Sequence, residues 1–141
     1  MRLVLSRGFG GERGAAAVEF ALVAPTFLMF IFLILDGGRM LFTRQSVSEV
    51  ATATARCFAL GASGCTTTTD AQGWAVSRAR ARDNLALAAG DVTVTTASCS
   101  GIANMARVTV STTWRRGAMG LLPQSVAPAQ LTSVACFPIA G

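Results

Sequence analysis

Arg13-Gly14-Ala15-Ala16-Ala17-Val18-Glu19-Phe20, running on into Ala21-Leu22-Val23-Ala24-Pro25-Thr26-Phe27-Leu28-Met29-Phe30-Ile31-Phe32-Leu33-Ile34-Leu35, decides how the rest of the chain is read. Phe20 to Leu35 is sixteen residues without a charge, and Ala15 to Leu35 is twenty-one residues in which Glu19 is the one charge. As a helix at ~1.5 Å per residue, 15–35 matches a hydrocarbon core of about 30 Å, so it is expected to be a transmembrane helix. Glu19 is the anomaly. A carboxylate deep in hydrocarbon costs roughly 2.5–3.5 kcal/mol on insertion scales and calls for a partner. The plainer alternative is that Glu19 lies near enough to the helix start to reach the headgroup layer, where the positive end of the helix dipole favours it.

Outward toward the N-terminus, Met1 to Gly14 holds three arginines and five glycine or serine residues. It is too polar for the apolar region of a secretory signal, and its small residues precede the apolar run instead of following it. An uncleaved signal anchor is the simple reading. Arg39 and Arg44 flank the far side, but the three leader arginines and the short N-terminus favour N-inside, which puts the C-terminal domain across the membrane.

A short Arg-bearing leader, a glycine, four small or apolar residues, Glu-Phe and an apolar run together resemble the processing site of type IV-like prepilins. The Gly-Ala-Ala-Ala-Val-Glu-Phe form is most similar to the TadE-like minor pseudopilins of the tight-adherence (Flp, type IVc) pilus system. The resemblance implies a leader peptide at 1–14, cleaved between Gly14 and Ala15 by a prepilin peptidase. Glu19 and Phe20 then take the fifth and sixth mature positions and dock against other pilins and pseudopilins. It also implies a pilin-like fold on the inner membrane with a periplasmic head, the filament serving in adhesion, surface attachment or DNA uptake.

Outward toward the C-terminus, Asp36-Gly37-Gly38-Arg39 marks the membrane exit, with the glycine pair as a flexible joint. Pro25 removes one hydrogen bond inside the apolar helix and predicts a local kink or melted turn. Beyond Arg39, Val47, Val50, Ala51, Thr54, Cys57 and Phe58 share one face, and Gln45, Glu49, Thr52 and Arg56 the other. This predicts an amphipathic continuation over 36–61, ending near Leu60 with Gly61 as C-terminal cap.

The remainder, 62–141, is expected to be a small α+β head. Ala62 to Asp70 is a loop, with Thr69 or Asp70 capping a second helix over Ala71 to Ala89 that lies across the sheet and is anchored by Trp74, Ala81, Leu85 and Ala88. Trp74 as an exposed partner contact is the alternative. Alternation predicts strands at Asp91 to Ser98, Met105 to Trp114 and Gln130 to Phe137 in a three-stranded antiparallel sheet, with Cys99 to Asn104 as a hairpin loop and Gly117 to Pro128 irregular.

Four cysteines follow the membrane segment, Cys57, Cys65, Cys99 and Cys136. They suit two disulfides in a head outside the cytosol, and free thiols in a cytosolic protein are the alternative. Three pairings are open; Cys57 with Cys65 and Cys99 with Cys136 is the expected one. With no histidine and no Cys-x-x-Cys, neither a metal site nor a cofactor is expected, and the commonest general base is missing. No Ser-centred elbow, Walker loop or dinucleotide fingerprint supports an enzyme. A redox role fits poorly, because reactive dithiols sit close together at a helix start.

The net charge of +5 comes from arginine alone, and nine arginines against six acids leave +3 for 15–141. Arg78, Arg80 and Arg82 look like a basic run, yet on a helix Arg80 points nearly opposite the other two. No nucleic-acid partner is expected. A minor pseudopilin therefore competes with an unprocessed single-pass inner-membrane protein whose periplasmic domain binds a partner.

Overall fold

A computed structural model of the chain describes residues 12–114, 125 and 129–139. Two helices and three strands follow in order: α1 (Glu12–Ala59), α2 (Thr68–Asp83), β1 (Val92–Cys99), β2 (Ile102–Thr113) and β3 (Gln130–Pro138). A single 3₁₀ turn, Ala89–Asp91, leads into β1. The strands form one antiparallel meander in the order β1-β2-β3. The fold is α+β.

α1 is 48 residues long, about 72 Å, and remains α-helical from end to end. The melted turn expected at Pro25 is not there. Proline's fixed φ is compatible with a helix and costs one hydrogen bond, while the Thr26 hydroxyl donates to the Leu22 carbonyl at 3.3 Å beside it. Gly37 and Gly38 do not interrupt the helix either. Met40, buried under Leu131, ties the helix to the head only two residues later. The helix closes with Gly61 at φ 57°: Ala62 N–H bonds the Cys57 carbonyl and Gly61 N–H the Phe58 carbonyl, both at 3.1 Å, the pattern of a Schellman cap.

The C-terminal half of α1 buries Val47, Val50, Ala51, Thr54, Ala55 and Cys57, and leaves Gln45, Glu49, Thr52 and Arg56 exposed, as the amphipathic pattern predicts. This face packs on β2 and β3, and α2 packs beside it over β1. Facing it are Val92, Val94, Val108 and Val110. The core is built of small residues, with valine the largest apolar side chain that is fully buried. Each contributes about 1.5 kcal/mol, the low end of what a buried apolar side chain gives. A core of this kind depends on its cross-links.

Helix α2 differs from its expected form at both ends. Thr67 is the N-cap, and not Thr69 or Asp70: its hydroxyl accepts from Asp70 N–H at 3.1 Å while Asp70 Oδ2 accepts from Thr67 N–H at 3.2 Å and from the Thr66 hydroxyl at 3.0 Å. The helix then stops at Asp83, because Asn84 takes the left-handed conformation at φ 49°, which asparagine tolerates. The turn sends Leu87 back into the core, so Leu85 and Ala88 are not helical. The buried face of α2 is Ala71, Ala75 and Ala79; Ala81 is exposed and Trp74 sits half-buried at the core's rim, with the Arg78 guanidinium 5.2 Å from its ring centre. Gln72 Nε2 donates to the Val92 carbonyl at 2.8 Å and fixes the helix to the start of β1.

Thr67 and Thr66 hold the Asp70 carboxyl below its ordinary value through their hydrogen bonds. A lowered folded value means this contribution is intact above the ordinary aspartate value of about 3.9 and fades as pH falls through the lower one. Thr67→Ala is expected to cost about 1 kcal/mol in urea unfolding at neutral pH. The same measurement at a pH low enough to protonate Asp70 in the folded state should show a smaller difference; an equal loss at both pH values would contradict the reciprocal cap.

The hairpin between β1 and β2 is tighter than the expected six-residue loop. Ser100 and Gly101, at φ 51° and 85°, make a two-residue turn, and Cys99 pairs with Ile102. The sequence pattern hides this because Asn104, at φ 57°, interrupts alternation inside β2. Gly117 to Pro128, expected to be irregular, lies outside the described residues apart from Ser125.

Cys57 is bonded to Cys65 and Cys99 to Cys136. The first closes the end of α1 onto the following loop, in the core, where Cys65 is fully buried. The second lies on the outer face and joins β1 to β3 across β2. Cys136 faces Arg107 and Arg107 faces Thr95, so Cys99 lies four residues past that line, beyond the register shift between Ala97 and Cys99 where β1 leaves the regular ladder, and the two Cα atoms are 6.4 Å apart.

Candidate functional site

No compact pocket gathers the residues singled out in the sequence; they lie along the N-terminal half of α1. Every residue from Gly14 to Leu35 is exposed except Ala24, which is half-buried, and Phe20 is 73% exposed. Among the described residues, the run of large apolar side chains from Val18 to Leu35 has no partner in the head. In water such a surface would associate; in lipid it is solvated. The length and composition of this helix fit a single-pass membrane anchor.

Gly14 and Ala15 fall inside the helix, in its first turn after Glu12, while Met1 to Gly11 of the expected leader lie outside the described residues. A protease acting between them needs an extended backbone, so the first turn must unwind. Helix ends fray, and glycine in a helix costs about 1 kcal/mol relative to alanine, which makes this turn cheap to open. A side chain at Gly14 would meet nothing within 4 Å, so its smallness is not a packing need.

Glu19 lies four residues after Ala15, about 6 Å along the axis and on the same face. Continuing along that face, Ala15, Glu19, Leu22, Thr26, Met29 and Leu33 repeat at alternating intervals of four and three residues. That period gives a straight seam suited to another helix. Thr26, Met29, Phe30 and Leu33 line a shallow cleft on it. The site is thus a helix face with one carboxylate at its N-terminal end. Phe20 is adjacent in sequence but about 100° around the helix, so it flanks the seam.

Among the described residues there is no group of histidine, cysteine, aspartate or glutamate able to hold a metal ion. Arg78 is half-buried over Trp74 and Arg80 is exposed, while the Arg82 side chain lies outside the described residues. Arg44, which in the sequence is only a flanking charge, stands beside Gln130, Thr132 and Ser133 of β3. The only trace of this in the sequence is that no acid lies one helical turn to either side of it.

An apolar helix that continues without interruption into a small disulfide-bonded α+β head fits a single-pass membrane anchor carrying one small domain. Residues 14–56, all within α1, match the family model described as TadE-like protein, so this part of the chain is similar to TadE-like proteins. The match begins at Gly14 and ends within α1, so it covers the candidate site and none of the sheet. No curated protein and no solved structure matches the chain. The TadE-like family is structural rather than catalytic, and the likeness of this segment to it suggests contacts with other pilus components.

Proposed function

We propose that this chain is a minor pseudopilin of the Tad/Flp type IVc pilus. The leader 1–14 is removed by the prepilin peptidase between Gly14 and Ala15. The helix 15–35 then anchors the chain in the inner membrane, 36–61 carries it out of the lipid, and the head 62–141 stands in the periplasm. From there it joins or primes a filament of other pilins used in surface attachment or DNA uptake. What carries this reading is the bare apolar face of α1 with Glu19 at its end, inside the TadE-like match.

Processing separates this reading from that of an unprocessed single-pass protein. The membrane-extracted chain from cells containing the peptidase should have the mass and N-terminal sequence of a protein beginning at Ala15. Gly14→Val should leave the precursor uncut, because a branched side chain beside the scissile bond blocks access and stiffens the first turn. Wild-type protein that still begins at Met1 or Arg2 would exclude the pseudopilin reading.

A further inference from the structure

Arg107 is the one charged residue on the three strands, and it stands directly opposite Cys136 of the second disulfide. How close the two side chains come follows from the hydrogen-bond pattern. The Val92 carbonyl points away from β2, toward Gln72. Direction alternates along a strand, so Thr95, three residues on, turns its main chain toward β2, and Arg107 opposite it turns toward β1. The Thr95 hydroxyl, which donates to the Arg107 carbonyl at 3.5 Å, agrees. Arg107 and Cys136 are therefore a non-hydrogen-bonded pair, the kind in which side chains stand closest, with Cβ atoms about 4.5–5.5 Å apart.

A cleft of about 220 Å³ opens here on the outer face of the sheet, lined by Ser98, Cys99, Ser100, Arg107, Val134 and Cys136. None of these lining residues is acidic. Cys99 and Cys136 are half-exposed, whereas Cys57 and Cys65 are buried in the core. The two disulfides thus differ in both properties that govern thiol–disulfide exchange: access for an attacking thiolate, and a positive charge beside the sulfur that departs. The two ends of the outer bond differ as well. Cys99 lies on an edge strand with Ser98 and Ser100 beside it, so its sulfur is approached past small side chains, while Cys136 has the guanidinium as its neighbour.

We propose that Cys99–Cys136 is a reducible bond, opened by a dithiol reductant that attacks Cys99 and displaces Cys136 as a thiolate beside Arg107. The bond is the substrate of this exchange and not its catalyst. A thiolate of the reductant attacks Cys99 Sγ; a bond forms between those two sulfurs, the Cys99–Cys136 bond breaks, and its electron pair leaves on Cys136. The reductant's second sulfur then attacks its first in the mixed disulfide, and Cys99 leaves as a thiolate. The reductant ends as a disulfide, having passed two electrons; its two thiols release a proton each to water and the two cysteines take one each back. Opening frees the end of β1 from β3 and removes the 37-residue closure, while Cys57–Cys65 still clamps the end of α1.

The test uses the full chain in detergent micelles, with dithiothreitol as the probe of rate and glutathione, a monothiol, as the probe of site. After early acid quenching and alkylation, peptide mapping should find Cys99–Cys136 open while Cys57–Cys65 is intact, with glutathione on Cys99 and the alkyl group on Cys136. A unit charge about 6 Å from a thiolate in water is worth about threefold, so Arg107→Gln should slow the opening by that factor. Arg107→Lys, which keeps the charge, should restore the rate. Glutathione mainly on Cys136, or shared equally, overturns the direction of attack. An Arg107→Gln rate equal to wild type, or an Arg107→Lys rate as slow as Arg107→Gln, overturns the role of the charge. Opening of both disulfides together, or of Cys57–Cys65 first, overturns the proposal as a whole.

Discussion

Replacing Cys99 and Cys136 together by serine should bring the head to the edge of unfolding. The bond closes a loop of 37 residues, and the chain-entropy model puts the loss at about 4 kcal/mol. Both cysteines are half-exposed, so serine at these positions leaves no polar group stranded in the core and the substitution isolates the cross-link. Small domains are stable by about 5 kcal/mol at the low end, and a core whose largest fully buried apolar side chain is valine has little in reserve. The urea midpoint of the full chain in detergent micelles, compared with wild type under non-reducing conditions, measures this. Cys57 and Cys65 make an informative contrast. Their loop spans 8 residues and is worth about 2.5 kcal/mol by the same model, but both are buried, so serine there adds the cost of unpaired hydroxyls. An unchanged midpoint in the Cys99 and Cys136 double mutant would mean that α1 packing alone holds the sheet.

Periodicity made α1 and the meander legible, because both obey one repeat for long enough to be read. Val47 to Cys57 keep a helical stripe, and Val92, Val94, Val108 and Val110 alternate. What periodicity missed depends on single residues in special backbone states. Asn84 caps α2 after Asp83, six residues short of its expected end at Ala89, and Ser100 supplies a positive φ that its type seldom takes. The α2 face was hidden for a different reason: Trp74 and Leu85 dominate any count of apolar residues, yet Ala71, Ala75 and Ala79 allow the closer approach to α1. The helical seam of the candidate site is visible in the sequence once the interval is read as three and a half. The place of Arg44 beside β3 is not, since Gln130 to Ser133 reach it only through the order of the strands.

Glu19→Gln and Glu19→Ala should both insert and be cleaved nearly normally, yet fail to co-purify with the other pilins and leave cells without pili. Cleavage after Gly14 would place a positive α-amino group on Ala15, at the end of a helix whose dipole disfavours it. The nearest acid on the same seam is Glu19, four residues on, and a neighbouring subunit displaced by about one turn sets its own Glu19 against that amine. Partly removed from water, such a pair offsets the cost of holding the acid near hydrocarbon and fixes the axial register of the two helices. The rest of the seam, Leu22, Thr26, Met29 and Leu33, is apolar or satisfied within its own helix, so it supplies contact without register. Glutamine keeps the shape and loses the charge; if charge is what docks, both variants fail alike. A pairing of Ala15 with Glu19 inside one chain would stabilise the first turn but would leave filament assembly insensitive to the substitution. Wild-type piliation in both variants would therefore reduce Glu19 to an interfacial residue and remove the physical basis for reading this helix face as a subunit contact.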